Sequence, residues 1–167
     1  MNTHLQRALD GIDSATAGMD ESQLTKHAEG KWSAAEILEH LAMAFGSTAK
    51  VFEKCVAKGK PIGDVPRFKQ RLQALVVTDI GYFPGGRKAP HMVVPTGKIG
   101  GKAALELIHN NLREMDKQLA RCYETCGKKG YLANHPVLGP LKIDQWPKFH
   151  RVHTLHHMKQ IRAMRNL

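Results

Sequence analysis

Residues 144–164 read DQWPKFHRVHTLHHMKQIRAM. The spacing makes this stretch one helix: Phe149, Val152, His153, His156, Gln160 and Met164 recur at intervals of three and four. Asp144 is placed to cap its N-terminus. Pro147 falls in the first turn, where a missing N–H breaks no helical bond. Four of the ten histidines lie here: His150, His153, His156 and His157. His153 and His157 are four residues apart, so they stand one above the other on one face. Two imidazoles in that relation can point at one metal ion, and a third ligand would come from another helix.

A second clear helix opens in KWSAAEILEHLAMAF, residues 31–45. Ser33 is its N-cap and Glu36 stands three residues on, a capping box. Trp32 before the cap and Ile37 at the fourth helical position form a hydrophobic staple. The apolar stripe runs Ile37, His40, Leu41, Ala44, Thr48, Phe52, and the helix frays between Cys55 and Pro61. His40 lies on that stripe and is the candidate third ligand. Trp32 reads as packing, and Glu36 and Glu39 read as solvated residues flanking His40.

The remaining segments complete a bundle. Leu5, Leu9, Ile12, Thr16 and Met19 give a first helix over Thr3–Met19, followed by a polar stretch to Gly30. His4 and His27 read as surface residues. Ala104, Ile108, Leu112, Met115, Leu119 and Cys122 give a strong helix over Gly101–Cys126, closed by Gly127 and Gly130. Residues 59–101 between them are broken repeatedly by proline and glycine. A short helix over Val65–Val77, with Phe68, Leu72 and Leu75 on one face, interrupts that crossover. A loop this long in a compact domain is usually functional. Here it can fold over the mouth of a site, with Arg87 and His91 as contributors. No run of strands is evident, so the expectation is an all-α four-helix bundle in which His40 faces His153 and His157 across the core.

The whole chain sets further bounds. Its 167 residues suggest one domain, residues 1–167, with enough core to fold without metal or disulfide staples. A metal would then serve function. No stretch is long and apolar enough to span a membrane, and residues 1–18 lack the apolar segment of a signal peptide. Three cysteines without a CxxC pair suit a reducing cytoplasm. Cys122 and Cys126 read as small core or flank residues, with a redox pair or soft-metal site as the minor alternative. The net charge is +10. Lys142, Lys148, Arg151, Lys159, Arg162 and Arg165 cluster around the last helix, but no nucleic-acid-binding motif accompanies them. The charge therefore reads as a solvated basic surface, and no nucleic acid or membrane partner is expected.

The segments KWSAAEILEHLAMAF and HRVHTLHHMKQI resemble the two signature segments of the DinB/YfiT-like superfamily, four-helix bundles with a three-histidine metal site. The join NHPVLGPLKIDQWPKFHRVHTLHHMKQ resembles more closely a branch of that superfamily in which a His-Pro-x-x-Gly-Pro-Leu turn precedes the final helix. Carried over, the resemblance implies His40, His153 and His157 as ligands of a divalent metal. Zinc or nickel leads, with iron, cobalt or manganese as alternatives. His156 paired with His153 is the weaker geometric option, since neighbours on a helix point about 100° apart. His150 is a rim residue or a hydrogen-bond partner. Gln160 either holds a ligand's second ring nitrogen or a water, or sits at the bundle boundary. Three neutral ligands with an open position suit a catalytic site. The resemblance implies a metal-dependent enzyme activating a low-molecular-weight thiol or water against a small-molecule substrate, of transferase or hydrolase type. The alternative is a non-catalytic metal-binding or stress-associated interaction protein, dimeric through an exposed helix face.

Overall fold

The computed structural model describes residues 1–86 and 88–165. Four long helices form the bundle: α1 (Thr3–Thr16), α3 (Ala34–Lys58), α5 (Gly101–Thr125) and α6 (Gln145–Met164). Two short ones, α2 (Glu21–Thr25) and α4 (Phe68–Leu75), sit in the connections. This is the expected all-α architecture with a short helix in the long crossover.

Local chemistry sets the boundaries. Asn2 caps α1 by accepting from the His4 N–H. The helix ends at Thr16 rather than Met19, because Gly18 takes a left-handed φ of 74°. The polar stretch after it is not irregular throughout. Asp20 and Gln23 form a reciprocal capping box that starts α2. The α2 residue Glu21 then accepts from the Gly101 and Lys102 N–H groups at 2.6 and 3.1 Å. Its carboxylate caps α5, whose own N-cap, Gly100, has no side chain. Ser33 and Glu36 make both arms of the capping box on α3, and Gly59 closes that helix in the left-handed region.

α3 packs along α5, and α1 along α6. The α5 stripe Ala104, Ile108, Leu112, Met115, Leu119 and Cys122 is fully buried, against Leu38, Leu41, Phe45 and Phe52 in the same core. The three cysteines are free thiols: Cys55 and Cys122 in the core, Cys126 at its edge.

Three expectations are corrected. Asp144 does not cap α6: its backbone is already helical, and its carboxylate accepts from the Tyr123 hydroxyl. The Gln145 side chain instead accepts from the Lys142 N–H at 2.9 Å. Second, the connection before α6 contains an antiparallel hairpin, β1 (Ala133–His135) with β2 (Gly139–Leu141). Third, the helix expected over Val65–Val77 is shorter and continues as a π-helical turn, Val76–Ile80. Phe68, Leu72 and Leu75 do share a face, but that face is in solvent, at 83%, 52% and 48% exposure. Ala74 and Val77 on the other side are buried.

Candidate metal centre

The polar seam of the molecule is where α3 meets α6. The capping box fixes the start of α3 and so sets the height and phase of His40, two turns in. The i, i+4 spacing on α6 stacks His153 and His157 opposite it. The His40 and His153 Nε2 atoms lie 3.2 Å apart, and those of His157 and His153 3.1 Å. All three rings are buried, and one ligand atom from each falls within 4.8 Å of the others. Among the described residues this is the only group of at least three histidine, cysteine or carboxylate side chains that converges in this way.

The outer ring nitrogens determine what the inner ones offer. His40 Nδ1 bonds the Val93 carbonyl at 2.7 Å, and His157 Nδ1 bonds Gln160 Oε1 at 2.7 Å. Both partners are acceptors, so both rings carry their proton on Nδ1 and present a bare Nε2. Those two lone pairs face His153 Nε2, which has at most one proton to share. Its own Nδ1 is buried without a partner. The protein alone therefore leaves at least one Nε2 lone pair without a proton, whereas a cation at their focus would take all three. Three ligands about 2.0–2.1 Å from a tetrahedral zinc ion stand about 3.3 Å apart, close to the spacings found. The residues present fit a divalent metal.

The electrostatics agree. Burial holds the His157 imidazole down to about 3, with His40 nearby adding to the effect. Burial also pushes His153 well below its usual range and lowers His40. Neutral imidazole is the ligand form.

The triad lies in a cavity of about 1030 Å³. Trp32, Phe83 and Phe149 give it aromatic walls. The Trp32 ring lies 5.2 Å from that of His40. Phe83 and Phe149 lie against the His153 ring at 5.2 and 5.4 Å. The crossover does fold over the site: Pro84, Lys88, Pro90 and Met92 line it, and Val93 supplies the carbonyl that orients His40. His91 is exposed and does not line the cavity. Arg87 lies outside the described residues.

A model of the DinB superfamily matches residues 4–161. The chain belongs to the DinB superfamily. No curated protein and no solved structure gives a significant match. The match covers nearly the whole of the four long helices and includes His40, His153 and His157.

The other residues singled out in the sequence do not join the triad itself. His156 sits to the side, its Nε2 3.4 Å from the Gln160 amide nitrogen. Gln160 holds His157. His150 is not on the rim but 1% exposed, with Nε2 3.0 Å from Thr48 Oγ1. Glu39 is not solvated either: at 1% exposure it accepts from Thr96 N, Thr96 Oγ1 and Gly97 N. That anchors the crossover to α3 just below His40. Two contributors escaped sequence reasoning. The Val93 carbonyl has no signal of its own. His135 does have one, the His-Pro turn before α6, which places it in the cavity wall.

Proposed function

We propose that the chain is a metal-dependent enzyme whose ion is held by His40, His153 and His157 and whose small-molecule substrate occupies the adjoining cavity. The observation carrying this is the convergence of three Nε2 atoms, two of them obliged to present lone pairs, beside a roomy cavity. When bound, a divalent ion there supplies Lewis acidity that lowers the pKa of a thiol or water brought against it. The chain's own residues do the rest. Val93 and Gln160 lock the tautomers of His40 and His157, and such outer partners stiffen a site and raise ligand basicity. Phe83, Phe149 and Trp32 exclude bulk water and offer surface to an apolar substrate body. The reaction class is transfer from a low-molecular-weight thiol, or hydrolysis.

Turnover of thiol and electrophile panels by protein loaded with zinc or nickel, abolished by a chelator, is the expected result. Inactivity across every panel and metal would contradict it. The exposed stripe of Phe68, Leu72 and Leu75 favours a second reading, a metal-binding interaction protein dimeric through α4. Sedimentation of the parent beside Leu72→Glu tests it: a dimer dissolved by the substitution supports that reading, and a monomeric parent removes it.

A further inference from the structure

The cavity beside the triad is long rather than round. On α3 its wall runs from Ile37 to Lys54, and on α6 from Trp146 to Met164. At about 1.5 Å of rise per residue, each of these stretches measures about 26 Å. The two helices cross it antiparallel: His40 stands opposite His153, Thr48 opposite His150, and Phe52 opposite Trp146. The cavity is therefore a groove along two helices, and the triad sits off its centre. His40 is one turn from the Ile37 end. Lys50 and Lys54, toward the other end, lie about 15 and 21 Å further along α3.

The chemistry changes along that length. From the triad to the lysines the wall is mainly apolar, with Ala44 and Val51 on α3, Phe149 and Trp146 on α6, and Val137 in the hairpin turn. His135 brings the hairpin to that end, its ring 5.6 Å from Trp146 and 4.2 Å from Phe149. Lys50 and Lys54 are exposed and one turn apart, so they are neighbours on the helix surface. Neither enters an ion pair among the described residues. No aspartate or glutamate among the described residues lines the cavity, and Glu53, between the two lysines, borders a separate groove on the α5 side. The far end thus offers positive charge without a counter-charge, at the mouth of an apolar trough.

We propose that the groove binds an elongated amphiphile lengthwise, with its anionic end at Lys50 and Lys54, its apolar chain along Ala44, Val51 and Phe149, and its other end presented to the triad. The proposal rests on the reading of this cavity as a small-molecule site and names the substrate class, long-chain monoanions rather than compact ones. An extended chain advances about 1.2 Å per bond, so the span from lysines to triad takes about 12–18 bonds.

The test is calorimetric titration of EDTA-treated protein with octanoate, decanoate, dodecanoate and tetradecanoate below their micelle concentrations. The outcome does not depend on whether the triad holds metal, and failure here leaves turnover by metal-loaded protein to be judged separately. The parent should gain about tenfold in affinity for each two carbons added. Ala44→Phe places a ring across the groove one turn past His40. It should leave octanoate binding near the parent's and remove the gain from dodecanoate to tetradecanoate. The double variant Lys50→Gln, Lys54→Gln should bind octanoate about tenfold more weakly and octan-1-ol unchanged, the scale of a hydrogen bond to a charged group. Lys31→Gln, Lys88→Gln should keep the parent's affinity for octanoate. If Ala44→Phe does not fold, the two exposed lysine pairs and the chain-length series carry the test. No binding, affinity that does not change with chain length, a gain that survives in folded Ala44→Phe, or an equal loss from both lysine pairs would overturn the proposal.

Discussion

Helix α3 makes two seams of opposite character. Toward α5 the contact is mainly apolar: Leu38, Leu41, Phe45 and Phe52 share one buried core with the α5 stripe, Asn111 Nδ2 adds a bond to the Ala42 carbonyl at 2.8 Å, and Phe45 and Phe52 also reach His150 and Trp146 on α6. Toward α6 it presents His40 and Thr48, and what it meets is a set of imidazoles incompletely satisfied by one another. The first seam holds the fold by burial. The second costs stability, because polar groups taken out of water lose hydration that the protein does not replace. The proposed metal would offset that cost by taking up the three Nε2 lone pairs. The comparison therefore separates residues whose loss unfolds the protein from residues whose loss empties it.

Acid should break the second seam hardest. In the folded chain, burial holds His150 and His157 down to about 3. In the unfolded chain they take up protons below about pH 6.5. The unfolded state therefore binds more protons between those values, so their contribution is full above pH 6.5 and is lost as the pH falls toward 3. From pH 7 to pH 5 the two together should remove about 4 kcal/mol from the metal-free protein, at about 1.4 kcal/mol per unit each. Urea melts across that range measure it, and His150→Phe should flatten the curve.

Leu112→Ala strikes the first seam. Leu112 is fully buried between α5 and α3. The cavity left behind should cost about 3 kcal/mol in denaturant midpoint analysis, while metal uptake by the folded fraction stays unchanged. The complementary change is Gln160→Leu. It removes the acceptor that fixes His157 Nδ1, so metal affinity should fall about 10–100-fold, with the melting temperature of the metal-free protein within a few degrees of the parent's. A competition titration with a chromophoric chelator reads the affinity. Were Gln160→Leu to unfold the chain and Leu112→Ala to lose metal, the division between the seams would be wrong.

How much of this was written in the sequence also divides along these lines. The α3–α5 seam was almost fully legible, because an amphipathic stripe states its period wherever it is read. Ala104 through Cys122 needed no partner to be identified. The convergence of His40 with His153 and His157 was legible only through the bundle topology and the family resemblance, since no local pattern joins residues more than a hundred positions apart. Asp144 shows the limit of local rules. A good capping residue stood at the right place, but Tyr123, from another helix, took its carboxylate. The hairpin was hidden because its strands are three residues long and one contains Pro140, so turn chemistry masked pairing. The outward face of α4 was invisible for a similar reason: Phe68, Leu72 and Leu75 have the period of a buried stripe, and period does not say which way a face is turned.

The most direct test is elemental analysis of protein purified without a histidine tag and reconstituted with zinc or nickel, beside His153→Ala treated identically. About one equivalent of metal per chain in the parent, absent from the variant, is the result predicted by three imidazoles sharing one focus. A parent that retains no metal, or a folded variant that retains as much, would contradict it.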